Sequence, residues 1–187
     1  MLVMQVSRLI LRQTRHAINH SNREKSAKRL LSKTQKLVTF KRGQKIAIYL
    51  SNDGEIDTKY IYNFFKKQGF CIYLPILVDK SLKFAEINKH FRKNRFGIKE
   101  PISTQILSAK QMNIIFMPLV GFDKNKNRIG MGGGFYDRTL VFKKRQQNYK
   151  NPKLYGLAFD CQKVDTLNAK PWDVPLNAII TPTTIYR

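Results

Sequence analysis

The spacing of apolar residues changes along the chain, and each change predicts a change of element. Over residues 5–38, Leu9, Leu11 and Ile18, then Leu30, Leu31 and Leu37, supply apolar faces among basic residues. That pattern predicts two basic amphipathic helices. The break falls at Asn19-His20-Ser21, and Ser21-Asn22-Arg23-Glu24 has capping-box spacing, so the second helix is expected to restart there. Further on, the apolar residues gather into short runs. Residues 45–50, 70–75, 82–85, 114–120 and 154–159 read as strands. A helix is expected between them, capped by Asp57 or Thr58, running to about Gln68 and stopped by Gly69. Residues 97–101 are expected to be extended, because Pro101 biases Glu100 away from helix. Residues 88–95 and 143–153 read as basic connections, residues 123–127 as a turn, and residues 137–144 as a further helix. Strands alternating with helices predict one α/β domain over residues 1–187, with a mostly parallel or mixed sheet flanked by helices in three layers. The N-terminal helices of residues 5–40 are expected to pack on that core.

Composition changes this picture in two ways. The 187 residues, 42% of them hydrophobic, suffice for one domain with its own core. No apolar run is long enough to span a membrane, and no signal-peptide core opens the chain. Cys71 and Cys161 lie far apart in apolar surroundings and are expected to be buried thiols in a reducing cytosol, without a metal pair. The formal charge of +23 raises nucleic acid as a partner. The basic residues are spread over every segment, however, and no RRM or KH signature accompanies them. A basic surface would equally suit ATP and a polyanionic small molecule. The twelve acids are the more informative set. Five of them, Glu55, Asp57, Glu100, Asp137 and Asp173, fall in or beside the segments that carry candidate chemistry.

The densest of these segments is Asn127-Arg128-Ile129-Gly130-Met131-Gly132-Gly133-Gly134-Phe135-Tyr136-Asp137-Arg138. Glycines cost chain entropy, and a cluster between strand and helix lets bare backbone N–H groups approach an anion. Arg128 would add a planar cationic fork, and Asp137 a hard oxygen for Mg²⁺. The alternatives are a plain turn for the glycines and a helix N-cap for Asp137. Phe135-Tyr136 stand where a Walker loop needs Lys-Ser/Thr, and Phe135 stands where a dinucleotide fingerprint starting at Gly130 needs its last glycine. Arg8, Arg12 and Arg15 share roughly one helix face, as a solvated surface or as anion contacts. Asp53, Glu55 and Asp57 make an acid-rich loop at a strand's carboxyl end, where open α/β sheets bind ligands. His16, His20 and His90 lie in basic stretches and form no triad, and no zinc-ligand cluster is present.

Arg-x-Gly-x-Gly-x-Gly-aromatic-Tyr-Asp resembles the signature of the 5-formyltetrahydrofolate cyclo-ligase family. Tyr49-Leu50-Ser51 with Glu55-Ile56-Asp57-Thr58, Gly97-Ile98-Lys99-Glu100-Pro101, Gly156-x-Ala158 with Gln162, and Trp172-Asp173 follow in the family's order, so the resemblance spans residues 8–185. It implies a Rossmann-like and CoA-transferase-like core and the conversion of 5-formyltetrahydrofolate and MgATP to 5,10-methenyltetrahydrofolate, ADP and phosphate. It implies ATP contacts at Arg8, Arg12, Arg128, Gly130, Met131, Gly132, Gly133, Gly134, Phe135 and Tyr136. It implies folate contacts at Leu50, Glu55, Glu100, Met131, Gly132, Gly133, Gly134, Phe135 and Trp172. Mg²⁺ would fall to Asp137 and Asp173. Arg128 and Asp137 would carry the chemistry. Taken from the residues alone, Glu55 is a solvent-facing loop acid, Glu100 a structural carboxylate as readily as a site acid, and Trp172 a core residue as readily as a stacking one. Gln5 or Met4 stands at the family's Lys position, Trp172 at a commonly His position, and Asn177 at a frequent Asp. The resemblance further suggests a cytoplasmic monomer that takes a mono- or polyglutamylated folate and has no specific nucleic-acid partner. A nucleic-acid-binding protein and another ATP-dependent enzyme on the same scaffold are the rival readings.

Overall fold

The computed structural model describes residues 7–145 and 150–187, so Met4 and Gln5 lie outside the described residues. Helix α1 spans Arg8–His16, with the Ser7 hydroxyl accepting from Leu9 N at its start. Helix α2 spans His20–Leu37. Its cap is Asn19, whose side chain accepts from Asn22 N at 2.9 Å, so the helix starts ahead of the expected Ser21. Asparagine in extended backbone caps as well as serine, and it stands first in the chain.

Strand β1 (Lys45–Ala47) is followed by α3 (Lys59–Lys67), β2 (Cys71–Val78) and β3 (Ser81–Glu86). Then come β4 (Phe91–Lys93), β5 (Lys99–Pro101), β6 (Ile106–Leu107), β7 (Ile114–Pro118), β8 (Gly121–Phe122) and β9 (Arg128–Ile129). The chain closes with α4 (Phe135–Leu140), α5 (Phe142–Arg145), β10 (Lys153–Leu157), β11 (Ala178–Ile180) and β12 (Ile185–Tyr186). Eight strands form one mixed sheet in the order β12-β11-β10-β7-β1-β2-β3-β6. The five from β11 to β2 are parallel, while β3, β6 and β12 join by antiparallel pairing.

Side-chain alternation explains the layers. In the parallel strands Ile46, Ile72, Ile114 and Phe116 enter one core, with Leu30 of α2 and Ile61 and Phe65 of α3. Ala47, Tyr73, Ile115 and Met117 enter a second core on the opposite face, with Leu140 of α4. A strand buried on both faces reads as an unbroken apolar run, as 114–117 does. Phe65 and Phe116, both fully buried, stack at 6.1 Å between ring centroids. Truncating such a ring costs about 3–5 kcal/mol.

Three expectations are corrected. The basic stretch 88–95 contains β4, which pairs antiparallel with β5 and turns a connection into a hairpin. All three β4 residues are exposed, so no alternation marks the strand in the sequence. The single helix expected over residues 137–144 is two short ones, α4, which begins at Phe135 behind left-handed Gly134 (φ 63°), and α5. Cys71 and Cys161 are exposed free thiols: one opens β2 before the strand dips into the sheet, the other sits on a 3₁₀ turn. Gly69 in the left-handed region (φ 71°) ends α3 as its position predicts.

The chain leaves β1 toward β2 and β3, then returns to the other side of β1 for β7 and β10. Order therefore reverses between β1 and β7. The loops at their carboxyl ends diverge there and leave a crevice, the usual ligand position in such sheets.

Candidate active site

A cavity of about 750 Å³ opens at that reversal. The loop after β1 supplies Leu50, Asn52, Asp53 and Glu55; the glycine-rich segment supplies the facing side from Arg128 to Asp137. The β4–β5 hairpin adds Phe96 and Glu100, and the C-terminal tail adds Lys170, Trp172 and Asp173.

The glycine-rich segment is held at its ends and open between them. Pairing of β8 with β9 closes the turn 123–127, and buried Asp123 takes the amides of Asn125 and Asn127 at 2.9 and 3.0 Å. Arg8 Nε donates to Gly130 O at 3.0 Å. Past that bond, no acceptor among the described residues takes the amide N–H of Gly132, Gly133, Gly134, Phe135 or Tyr136. Gly132 (φ 102°) and Gly134 (φ 63°) occupy backbone that side-chain-bearing residues rarely adopt. A Cβ on Gly133 would lie 2.5 Å from the Phe135 ring, so the three glycines answer to different constraints. The result is a short run of unpaired donors on the cavity wall, suited to an anion.

Arg128 is nearly buried and ties this wall together. Its two terminal nitrogens donate to Asp137 Oδ1 and to Val174 O, so its fork is largely engaged within the protein. Asp137 lies in the first turn of α4 behind Gly134, and the N-cap alternative falls away. Because Arg128 grips both Asp137 and the residue after Asp173, two carboxylates share one neighbourhood. Asp173 itself accepts from Lys170 N at 2.8 Å. Among the described residues no group of three or more His, Cys, Asp or Glu gathers as a ready metal cage.

On the facing side, Glu55 accepts from Asn52 N at 3.0 Å, and burial pushes its carboxyl up to about 7. Tyr49 and Thr58 brace the loop from behind: Tyr49 OH donates to Ile56 O at 2.9 Å, and Thr58 Oγ1 to Tyr49 O at 2.6 Å. Burial raises the phenols of Tyr49 and Tyr136, which stay neutral. Apolar surface comes from Leu50, Met131 and Trp172, all exposed at the rim. Phe96 and Phe135 meet edge-to-face at 5.9 Å. Trp172 is 61% exposed under the Lys170 ammonium, which removes it from the core.

Two candidates sit differently from their expected roles. Arg12 directs its fork at Asp53, with bonds of 2.7 and 2.8 Å, and does not line the cavity. Its carboxylate partner lies within reach of the helix face that was expected to meet phosphate. Glu100 lines the cavity but is 2% exposed, and its Oε1 already accepts from Leu77 N at 2.7 Å and Asn94 Nδ2 at 2.9 Å. It pins the β4–β5 hairpin to β2. Asn177 accepts from Leu154 N at 2.7 Å and holds β10 beside the tail. In the sequence Asp53 stands only as one acid of the loop and Tyr49 only as part of a motif, neither with a role of its own, and Phe96 is missed altogether. The Asp53-Gly54 turn was a signal for the first; nothing in the pattern marks Phe96.

The model of the 5-formyltetrahydrofolate cyclo-ligase family matches residues 3–182. A 5-formyltetrahydrofolate cyclo-ligase of Haemophilus influenzae is 40% identical over 77% of this chain and 79% of its own length. One from Escherichia coli K12 is 33% identical over 95% of this chain and all of its own length. The solved 5,10-methenyltetrahydrofolate synthetase of Aquifex aeolicus superposes with a TM-score of 0.81 at 25% identity, covering 96% of this chain and 90% of that one. That of Mycoplasma pneumoniae gives 0.74 at 27% identity over 94% and 96%. With the family's model matched over residues 3–182 and relatives of 33–40% identity covering most of its length, this chain belongs to the 5-formyltetrahydrofolate cyclo-ligase family.

Proposed function

We propose that this chain catalyses the ATP-dependent cyclisation of 5-formyltetrahydrofolate to 5,10-methenyltetrahydrofolate. The observation that carries the reading is the cavity itself, which joins unpaired backbone donors to apolar and acidic surface in a chain of this family. An amide oxygen is a poor leaving group, so the formyl oxygen must first be activated. It attacks the γ-phosphorus, and ADP leaves. N10 of the same folate then attacks the formyl carbon, phosphate departs with the former formyl oxygen, and the proton on N10 is lost. The first attack joins two bound substrates, and the second lies within one held folate, so proximity favours both phosphorylation and ring closure.

The chain's residues divide this work. The amides of residues 132–136 and the free end of Arg8 hold phosphate oxygens, and Arg128 fixes Asp137 beside them. Leu50, Phe135 and Trp172 pack on the pterin and benzoyl surfaces. Glu55 hydrogen-bonds the folate edge, and with a carboxyl near 7 it is poised to take the N10 proton. Bound Mg²⁺ would neutralise charge on the transferring phosphoryl group. Mg²⁺ takes one or two carboxylates beside phosphate oxygens and water, and Asp137 and Asp173, which line the cavity, would supply them without a full protein cage. Exposed Lys99 and Lys170 at the rim suit the carboxylates of a glutamate tail. The protein works as a monomer in this reading.

The test mixes protein, MgATP and 5-formyltetrahydrofolate and follows the methenyl absorbance together with ADP. Product in equal amounts is expected. Folded protein that binds the folate and forms no methenyl product with MgATP would overturn the proposal.

A further inference from the structure

Arg15 is the one lysine or arginine among the described residues that is fully buried, and it does not line the cavity. Its Nε donates to Asp53 O at 2.8 Å and its Nη2 to Asp53 Oδ2 at 2.6 Å. Its Nη1 reaches Leu119 O at 3.3 Å, just past the end of β7. Nη2 also lies 3.8 Å from Met131 Sδ. One planar group thus meets three separate stretches: the loop carrying Glu55, the end of a central strand, and the glycine-rich segment.

A buried guanidinium is costly to desolvate, and an apolar side chain would often fill such a space with less penalty. What an apolar side chain cannot do is fix the mutual placement of three segments. Lysine cannot either, because its ammonium lacks the rigid planar fork. Asp53 is built to receive the fork. It lies in left-handed backbone (φ 49°), and its carbonyl and one carboxylate oxygen both meet Arg15. Arg12 and His16 take the other carboxylate oxygen at 2.8 and 3.0 Å. The Arg12 guanidinium, with His16 and Arg15, holds that carboxyl far below the usual range, so the pair stays charged. The same helix reaches the glycine-rich segment a second time, through Arg8 on Gly130 O. Helix α1 is therefore a shared strut behind both walls of the cavity.

We infer that Arg15 and Asp53 are positioning residues that tie the Glu55 loop to the glycine-rich segment, so that a ligand ordering either wall strengthens binding at the other. The inference rests on the folate and ATP assignment of those walls. By linkage the coupling must be reciprocal between the two ligands.

The test measures the dissociation constant of 5-formyltetrahydrofolate with and without a saturating non-hydrolysable ATP analogue and Mg²⁺. Wild-type protein is expected to bind folate about fivefold or more tightly with the analogue present. Arg15→Lys and Asp53→Asn are expected to bring that ratio toward one. A role in stability alone would lower the melting temperature and weaken both ligands while leaving the ratio intact. Should Arg15→Lys fail to fold, Asp53→Asn, which removes the charge and keeps the shape, decides. A ratio of one in wild-type protein, or an undiminished ratio in the folded variants, overturns the inference. Wild-type protein that shows the coupling but makes no methenyl product supports the tie and overturns the proposed reaction instead, so the two failures are told apart.

Discussion

The two walls of the cavity are built on opposite principles. The loop after β1 is braced from behind: Asp53 holds three cationic or imidazole partners, Thr58 and Tyr49 bond back to the loop, and Glu55 caps its own turn. The glycine-rich segment is anchored at Gly130 by Arg8 and at Asp137 by Arg128, and leaves a run of amides unpaired between them. A wall that has spent its hydrogen bonds internally presents a fixed surface and a few chosen groups. A wall that withholds them completes its bonding only with a ligand. The first suits a rigid heterocycle that must be oriented, the second a flexible polyphosphate that must be wrapped. Changes on the open wall should therefore remove catalysis with little cost in stability. Changes on the braced wall should divide their effect between binding and folding.

The largest effect is expected at Gly133. Valine there would drive Cβ into the Phe135 ring and push the ring toward the ligand space. Turnover should fall by about 10³-fold, the scale of losing preorganised anion donors, while the melting temperature stays near wild type. A steady-state rate beside a thermal melt checks this. Retained rate and ATP affinity would reduce the glycines to a turn.

Next comes Asp137→Asn, which tests whether the open wall works through charge. Asp137 lies in the first turn of α4 and pairs with Arg128. Asparagine keeps the shape and loses the carboxylate. The rate should drop about 10²-fold at limiting Mg²⁺ and recover in part as Mg²⁺ is raised. Stability should stay within about 1 kcal/mol, since the asparagine amide oxygen still accepts from Arg128 and the side chain at 137 is a quarter exposed. A Mg²⁺ titration of the initial rate decides; unchanged rates at limiting metal would leave Asp137 as the anchor of Arg128 alone.

How far these walls could be read from the sequence follows from the same contrast. The open wall was legible because its chemistry is local: a glycine cluster, an arginine and an aspartate within a dozen residues, after an apolar run that does become β7. The parallel core was legible for the same reason, as short apolar runs between helical stretches. The braced wall was not, because its logic is long-range. Arg15 meets Asp53 from 38 positions away and Leu119 from 104 positions away, and no local pattern shows which arginine on a basic helix turns inward. Arg12 and Arg15 look alike in sequence, yet one is half exposed and the other is sealed. The β4–β5 hairpin hid behind its charge: its short first strand faces solvent, and Glu100 clamps it through partners on β2 and at Asn94.

On the braced wall, Glu55→Gln should weaken folate binding about tenfold, the loss of one charge-assisted bond, and leave ATP binding nearly unchanged. Separate titrations with each ligand measure the split. Equal losses for both would place Glu55 outside the folate surface.

The smallest effect is the most direct measure of bracing, because it needs no ligand. Burial pushes the Glu55 carboxyl to about 7 in the folded chain, against roughly 4.3 for an unhindered glutamate in the unfolded one. Between those values the folded state holds a proton that the unfolded state has released. Stability therefore falls as pH rises through this window, and the contribution is complete below the unfolded value and gone above the folded one. The side chain is only partly shielded from solvent, so its share should be about 1 kcal/mol, less than its full displacement implies. Glutamine cannot titrate. The difference in unfolding free energy between Glu55→Gln and wild type should be near its minimum at pH 4 and should grow in favour of the variant by that amount at pH 8. Denaturant unfolding of both proteins across this range tests it. A difference that stays flat with pH would mean that the carboxylate pays no penalty for its position. Glu55 would then sit on a wall as open as the one it faces.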